Sequence, residues 1–341
     1  HRDLHSFPTR RSSDLPADSR QATLVRDAVE ALAPGATVRL SLDLGPDQRV
    51  ALDGDAVTWN GERLDRFDAL YVHDFRYEDP VLPPAGGEED WSFWSAGHVV
   101  RQQAYSFLFS LLSRLEAGGV RLYNGPAGHL GTFSRHRPLD RLRAAGVAAA
   151  AVTLTNEDAV AAALQDRHGL VVWRPVSGRA AWQVFRDKQR HAVVGPDKPP
   201  VLLAPVADGP LVRAVVADGR LLALCDMAAP AREGLERHEV LRPVDPAAVP
   251  YADRLAGVPG LLDLRWGTVL AVAASDGPVV YDVDPDPVLT TLPGPLAGHV
   301  AQGLAHALLG RAAPETAAPA AAERPALLLR RMLAIQFDME A

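Results

Sequence analysis

The chain has 341 residues, of which 48% are hydrophobic, and a formal net charge of −7, the composition of a globular protein with two or three packed lobes. The acidic balance argues against nucleic-acid binding as its main role, and a single cysteine, Cys225, rules out an internal disulfide or a thiolate metal cluster. No apolar run approaches the roughly 20 residues that a membrane span needs, so the expectation is a cytoplasmic protein with neither membrane nor nucleic acid as partner.

The first fifteen residues, "HRDLHSFPTRRSSDL", are polar and lack any period. They resemble a translated sequencing adapter, and residues 1–15 are expected to be a non-native segment. A helix is expected over 19–32, closed by Pro34-Gly35. "TVRLSLDL" (37–44) alternates as a strand, 49–64 reads as small hairpins, and "FDALYVHDF" (67–75) as a buried strand. This part reads as an α/β lobe whose first strand is missing. His73, Asp74 and Arg76, at the end of the last strand, are candidate substrate contacts. Residues 92–117 are the clearest helix, with Val100, Ala104, Leu108, Leu111, Leu112 and Leu115 on one stripe and Gly118-Gly119 at its end. "EEDWSFW" (88–94) reads as the start of that helix.

Beyond it come a strand over 120–126, a basic helix over 137–146, a strand over 150–156 and a helix over 157–166. The character then changes to strands. "GLVVWRPV" (169–176) runs into the small-residue loop "SGRAA", and "PPVLLAPV" (199–206) follows. Hairpins are expected around Asp218-Gly219 and Asp276-Gly277. A helix over 296–309 precedes an Ala/Pro linker (311–325) and an amphipathic tail helix (326–341). The apolar face of that tail suits docking on its own chain or on a second copy, which leaves a homodimer open. Cys225 lies among apolar residues and reads as a small buried hydrophobe.

The outgoing arm of the last hairpin, "VVYDVDPDPVL" (279–289), puts Asp282 and Asp284 on one face of an apolar strand. Two residues of extended chain span roughly 6.5–7 Å, so both carboxylates can reach one site. Their mutual repulsion calls for a cation or for water. Asp286 reads as a solvated turn residue. Arg174 lies inside an apolar strand, where an unpaired cation is expensive.

Taken in order from about 68 to 310, these pieces resemble the ATP-grasp proteins. The nearest branch is the carboxylate–amine ligases related to ribosomal-protein glutamate ligases and ribosomal-peptide maturases. "YNGPAGHLGTFSRHRPLDRLRAAGV" is similar to the start of that family's linker lobe, with Arg137 where a lysine is usual. "VVWRPVSGRAA" resembles the strand and loop that cover the phosphates, with Arg174 as the phosphate-contacting cation. "LVRAVVADGRLLAL" supplies Arg213 as the matching catalytic arginine, and "YDVDPDPVL" stands where the family holds Mg²⁺ with Asp282 and Asp284. The resemblance implies an α/β (α+β) fold with an N-terminal α/β lobe (16–125), a small linker lobe (126–205) and a large antiparallel-sheet lobe (206–310). It also implies ATP and Mg²⁺ as cofactors.

The family pattern is not complete. No carboxylate lies between Trp266 and Asp276, where a further metal-binding acid is usual, and the nearest positions are Leu270 and Ala271. Ala204-Pro205 replaces Gln-Glu before the adenine hinge, so Val206 is expected to supply the remaining N–H donor. Gln102 or Gln103 falls where related maturases carry a glutamate, and Arg237 loosely matches another family arginine. Two functions follow as expectations. One is an ATP-dependent ligase that joins a small-molecule or peptide carboxylate to an amine acceptor through an acyl phosphate. The other is a degenerate relative kept as a nucleotide-binding or partner-binding scaffold.

Overall fold

Helix α1 (Arg20–Leu32) turns Val25 and Val29, one helical turn apart, into the protein. The computed structural model describes residues 20–37, 49–54, 56–72, 88–177, 180–187, 190–230 and 241–312. After α1 come β1 (Val50–Asp53), β2 (Ala56–Trp59) and β3 (Glu62–Arg63), an antiparallel meander. Strand β4 (Ala69–Tyr71) pairs in parallel with β5 (Arg121–Tyr123). Helix α2 (Glu88–Ala117) is the crossover between them, as a parallel pair requires. Its Leu108, Leu111, Leu112 and Leu115 pack on Val57, Trp59 and Leu122 to form the core of the N-terminal lobe.

Helix α3 (Pro126–Phe133) was not expected from the sequence, because Gly128 and Gly131 lower its propensity. Packing overrides propensity here. A Cβ on Gly128 would lie 2.4 Å from the Leu264 side chain, so the glycine lets the two segments touch. Helix α4 (His136–Ala144) follows, with Leu139 and Leu142 fully buried. Strand β6 (Thr153–Thr155), helix α5 (Asp158–His168), strand β7 (Val171–Pro175), strand β8 (Gln183–Val184), helix α6 (Arg190–Val193) and strand β9 (Val201–Pro205) complete the linker lobe. Its sheet has the order β6-β9-β7-β8.

The large lobe is a five-stranded antiparallel sheet. Strands β10 (Pro210–Ala217) and β11 (Arg220–Pro230) form the first expected hairpin, in which Asp218 (φ 45°) and Gly219 (φ 71°) both take the left-handed region. Such a turn matches the right-handed twist of the strands. Strand β12 (Leu241–Pro243) and helix α7 (Ala252–Gly257) come next, then the second hairpin of β13 (Trp266–Ala274) and β14 (Gly277–Asp284). The sheet order is β12-β11-β10-β13-β14. Helix α8 (Gly294–Leu308) closes the lobe and lies along α1.

Two cores join the lobes. Leu139, Leu142, Val172 and Trp182 of the linker lobe share one with Val212, Val269 and Tyr281 of the large sheet. Val25 of α1 shares the other with Trp266, Leu296 and Val300. Among the described residues no helix is long and apolar enough to cross a membrane. Cys225 is fully buried, and burial pushes its thiol pKa up to about 11. Asp286 differs from expectation: it is 1% exposed, because the turn after β14 is folded under the N-terminal lobe instead of facing water. Residues 1–15, most of the strand expected at 37–44, His73, Asp74, Arg76, Arg237 and the tail helix lie outside the described residues.

Candidate active site

The site lies at the seam where the linker sheet meets the large sheet. Pairing across the large sheet sets its first row. Arg213 on β10 is opposite Leu270 on β13, which is opposite Asp282 on β14. Directly paired residues share a face, so this row runs arginine, leucine, carboxylate. Thr268 is likewise opposite Asp284. The register decides between the two candidate positions of the missing acid, since it is Leu270 that stands beside Asp282. No group of three or more His, Cys, Asp or Glu residues able to hold a metal occurs among the described residues.

From the linker lobe, β7 delivers Arg174. Its Nη1 donates to Asp282 Oδ2 at 2.7 Å, and the guanidinium lies 5.4 Å from the centroid of the Trp182 ring. Arg174 is 1% exposed. An isolated guanidinium at that depth would be very costly, and the carboxylate and the ring face offset the cost. Arg135, in the turn ahead of α4, brings Nη1 to 3.6 Å from Asp282 Oδ1. Its backbone N–H donates to Val176 O, which fastens this turn to the end of β7. Burial alone would raise the Asp282 pKa. Arg174, then Arg135, outweigh it and hold the carboxyl below its ordinary value.

Asp284 is on the same strand face, and its Oδ1 accepts from the Asp286 N–H at 3.0 Å. Of the residues marked in the sequence, Arg174 and Asp282 are therefore in direct contact. Asp284 and Arg213 belong to the same sheet face. Arg137 does not join them: it is exposed on α4, and the buried cation is Arg135, two residues earlier. Within a stretch holding Arg135, Arg137, Arg141 and Arg143, nothing in the sequence separates the one that turns inward. Gln102 and Gln103 are exposed on α2.

The hinge between β9 and β10 also departs from expectation. Val206, the expected adenine donor, spends its N–H on Leu170 O at 3.1 Å. The next N–H, that of Ala207, donates to the Tyr281 hydroxyl at 2.7 Å, and the same hydroxyl donates to Pro205 O at 2.8 Å. Tyr281 reaches the hinge because it is a bulge. Leu270 pairs with Asp282 and Ala271 with Val280, leaving Tyr281 as the extra residue on β14. The sequence signal was the run Val279-Val280-Tyr281, which breaks the period-two alternation of a simple strand. Trp182, equally unmarked in the sequence, packs edge-on against Tyr281 at 6.4 Å and donates from its Nε1 to Tyr281 O.

No family model and no curated protein matches the sequence. Solved structures do match the fold. The ATP-grasp ligase PsnB, complexed with a phosphomimetic variant of its minimal precursor, Mg and ADP, superposes with a TM-score of 0.69 at 18% identity, covering 86% of this chain and 94% of PsnB. The macrocyclase MdnC from Microcystis aeruginosa MRC, bound with precursor peptide MdnA, gives 0.66 at 14% identity, covering 86% and 97%. A Chryseobacterium gregarium RiPP-associated ATP-grasp ligase, in complex with ADP and a leader and core peptide, gives 0.63 at 12% identity, covering 87% and 95%. With its mixed α/β lobes and its five-stranded antiparallel sheet, the chain has the ATP-grasp fold.

Proposed function

We propose that the chain is an ATP-dependent ligase that joins a carboxylate to an amine, with a peptide carrying at least one of the two groups. The observation that carries this reading is the buried Arg174–Asp282–Arg135 cluster at the seam of two sheets. A triphosphate needs fixed cations where its charge shifts, and guanidinium groups fork onto phosphate oxygens. Arg135, Arg174 and Arg213 fit that need. Asp282 and Asp284, two residues apart on one strand face, fit a single hard cation that keeps most of its waters. Asp282 and Asp284 would hold a Mg²⁺ that supplies charge to offset the phosphates; the γ-phosphoryl passes from ATP to the substrate carboxylate with release of ADP, and the amine then displaces phosphate from the acyl phosphate to form the amide. The peptide substrate is proposed by likeness to PsnB and MdnC, which were crystallised with precursor peptides.

Arg174 is the test. Charge-assisted bonds are worth about 1.5–3 kcal/mol, so Arg174→Ala should weaken Mg·ATP binding roughly tenfold or more by calorimetry. Arg174→Lys should recover part of it. Equal affinity in Arg174→Ala and the parent rejects the site.

One observation favours the second reading, a scaffold that binds nucleotide without turnover. Leu270 stands between Arg213 and Asp282, where a third carboxylate would complete a metal site. Brisk ADP release with a peptide acceptor would dismiss it.

A further inference from the structure

The interlobe hinge carries one carbonyl acceptor, Pro205 O, and one amide donor, Ala207 N–H, separated by a single residue and both turned to the same atom, the Tyr281 hydroxyl. A backbone pair of this kind reads an adenine edge, whose exocyclic N–H donates and whose neighbouring ring nitrogen accepts. Guanine presents the reverse order at that edge and is rejected. A phenol satisfies the same pair with one donor and one acceptor on a single oxygen. In this chain the pair is already filled from inside the protein.

The plug is held firmly. Tyr281 is 2% exposed, its ring meets the edge of Trp182 at an interplanar angle of 88°, and its own carbonyl accepts from Trp182 Nε1. Trp182 in turn lies under the guanidinium of Arg174. The bulge that places Tyr281 immediately precedes Asp282, so plug and phosphate cluster are adjacent positions on one strand. The nearest other hinge donor, Val206 N–H, is committed to Leu170.

We infer that the Tyr281 phenol takes the place of the nucleobase edge at the hinge, so that the chain recognises the polyphosphate of its nucleotide and not the base. This rests on the nucleotide-site reading proposed above and deepens it. The residue sets specificity through what it excludes.

The test measures binding of Mg·ATP, Mg·GTP and Mg·tripolyphosphate by calorimetry to the parent chain, Tyr281→Leu and Tyr281→Phe, with melting curves confirming that each variant folds. In the parent, the three ligands should bind within about threefold of one another. Tyr281→Leu removes the ring and frees the hinge, and should tighten ATP at least tenfold over GTP. Tyr281→Phe keeps the ring in place and should leave the ATP-to-GTP ratio near one. A parent that prefers ATP tenfold or more over both other ligands overturns the inference. Amide exchange at Ala207 tests the hinge bond without any nucleotide. Protection in the parent that is lost in Tyr281→Phe supports the plug, and equal exchange in the two overturns it. If none of the three ligands binds parent or variants, the phosphate-site reading fails and the inference about base recognition falls with it, and protection at Ala207 then reports the Tyr281 hinge bond alone.

Discussion

At the scale of single residues, Asp282 is where charge and burial meet. Its carboxylate is held between Arg174 and Arg135, and its pKa lies below the ordinary value because the cations outweigh the effect of burial. A depressed folded-state pKa means the unfolded chain binds the proton more readily. The stability it contributes is therefore complete above the unfolded value of about 4 and is lost as pH falls from there through the folded value. Asp282→Asn should be less stable than the parent at neutral pH in metal-free buffer, and the difference should shrink below about pH 4. Urea melts at a series of pH values check this, and a constant difference would mean the ion pair contributes nothing through titration. Removing Arg174 takes away the nearer of the two cations that hold the carboxylate, so the loss of ATP binding in Arg174→Ala should be accompanied by a lower Tm, as is usual when one partner of a buried pair is deleted.

Elements decide where such residues stand. Row by row pairing puts Leu270 between Arg213 and Asp282, and this position can be tested directly. Leu270→Asp buries a second carboxylate beside the first, so the metal-free protein should melt at a lower temperature. Mg²⁺ with ATP should restore the Tm of Leu270→Asp but not that of Leu270→Asn. No difference between the two variants would show that the row holds no metal. The hinge offers a second test. Gly209 has φ 149°, and a Cβ there would lie 2.2 Å from Ala273 O. The clash is with backbone, which cannot rotate away. Gly209→Ala should cost about 2 kcal/mol or more by chemical denaturation, and a neutral result would mean the hinge can shift to a new path.

The elements also show what a sequence can carry. The Asp218-Gly219 turn was legible because both residues take left-handed backbone, and the Asp276-Gly277 turn because its glycine has a positive φ. Asp282, Asp284 and Arg174 stood out because charge inside an apolar strand is costly. Arg135 was not legible, since its burial depends on how the turn before α4 meets β7, a contact between segments some forty residues apart. The hinge at Val206 was hard to read for a similar reason: the partners of its amides are Leu170, just before β7, and Tyr281 on β14, both distant in sequence. Helix α3 was hidden because its Gly128 serves a close approach to Leu264 rather than a local preference.

At the scale of the whole molecule, one buried side chain ties the N-terminal lobe to the end of β14. Gln21 on α1 donates from Nε2 to Pro287 O at 2.7 Å and to the Tyr71 hydroxyl at 2.8 Å, and its Oε1 accepts from Leu289 N–H at 2.8 Å. It fixes the segment that follows Asp282 and Asp284, and so the direction in which β14 leaves the site. Gln21→Ala would leave the buried Leu289 N–H and Pro287 O without that partner, at a cost of about 1–3 kcal/mol. A lowered Tm together with weaker Mg·ATP binding is expected. Unchanged values for both would mean that the lobe does not brace the site.

The same clamp dictates when the protein can finish folding. Gln21 and Pro287 are 266 residues apart in sequence, and among the described residues α1 packs mainly along α8. At ribosomal rates of about 5–20 residues per second, roughly 15–50 s pass between synthesis of the two. The hairpins of the large sheet are local and close early, whereas the α1–α8 seam must wait for synthesis of every residue between the two helices. Throughout that interval Val25 is deprived of its final cover, so a helix made early is docked late.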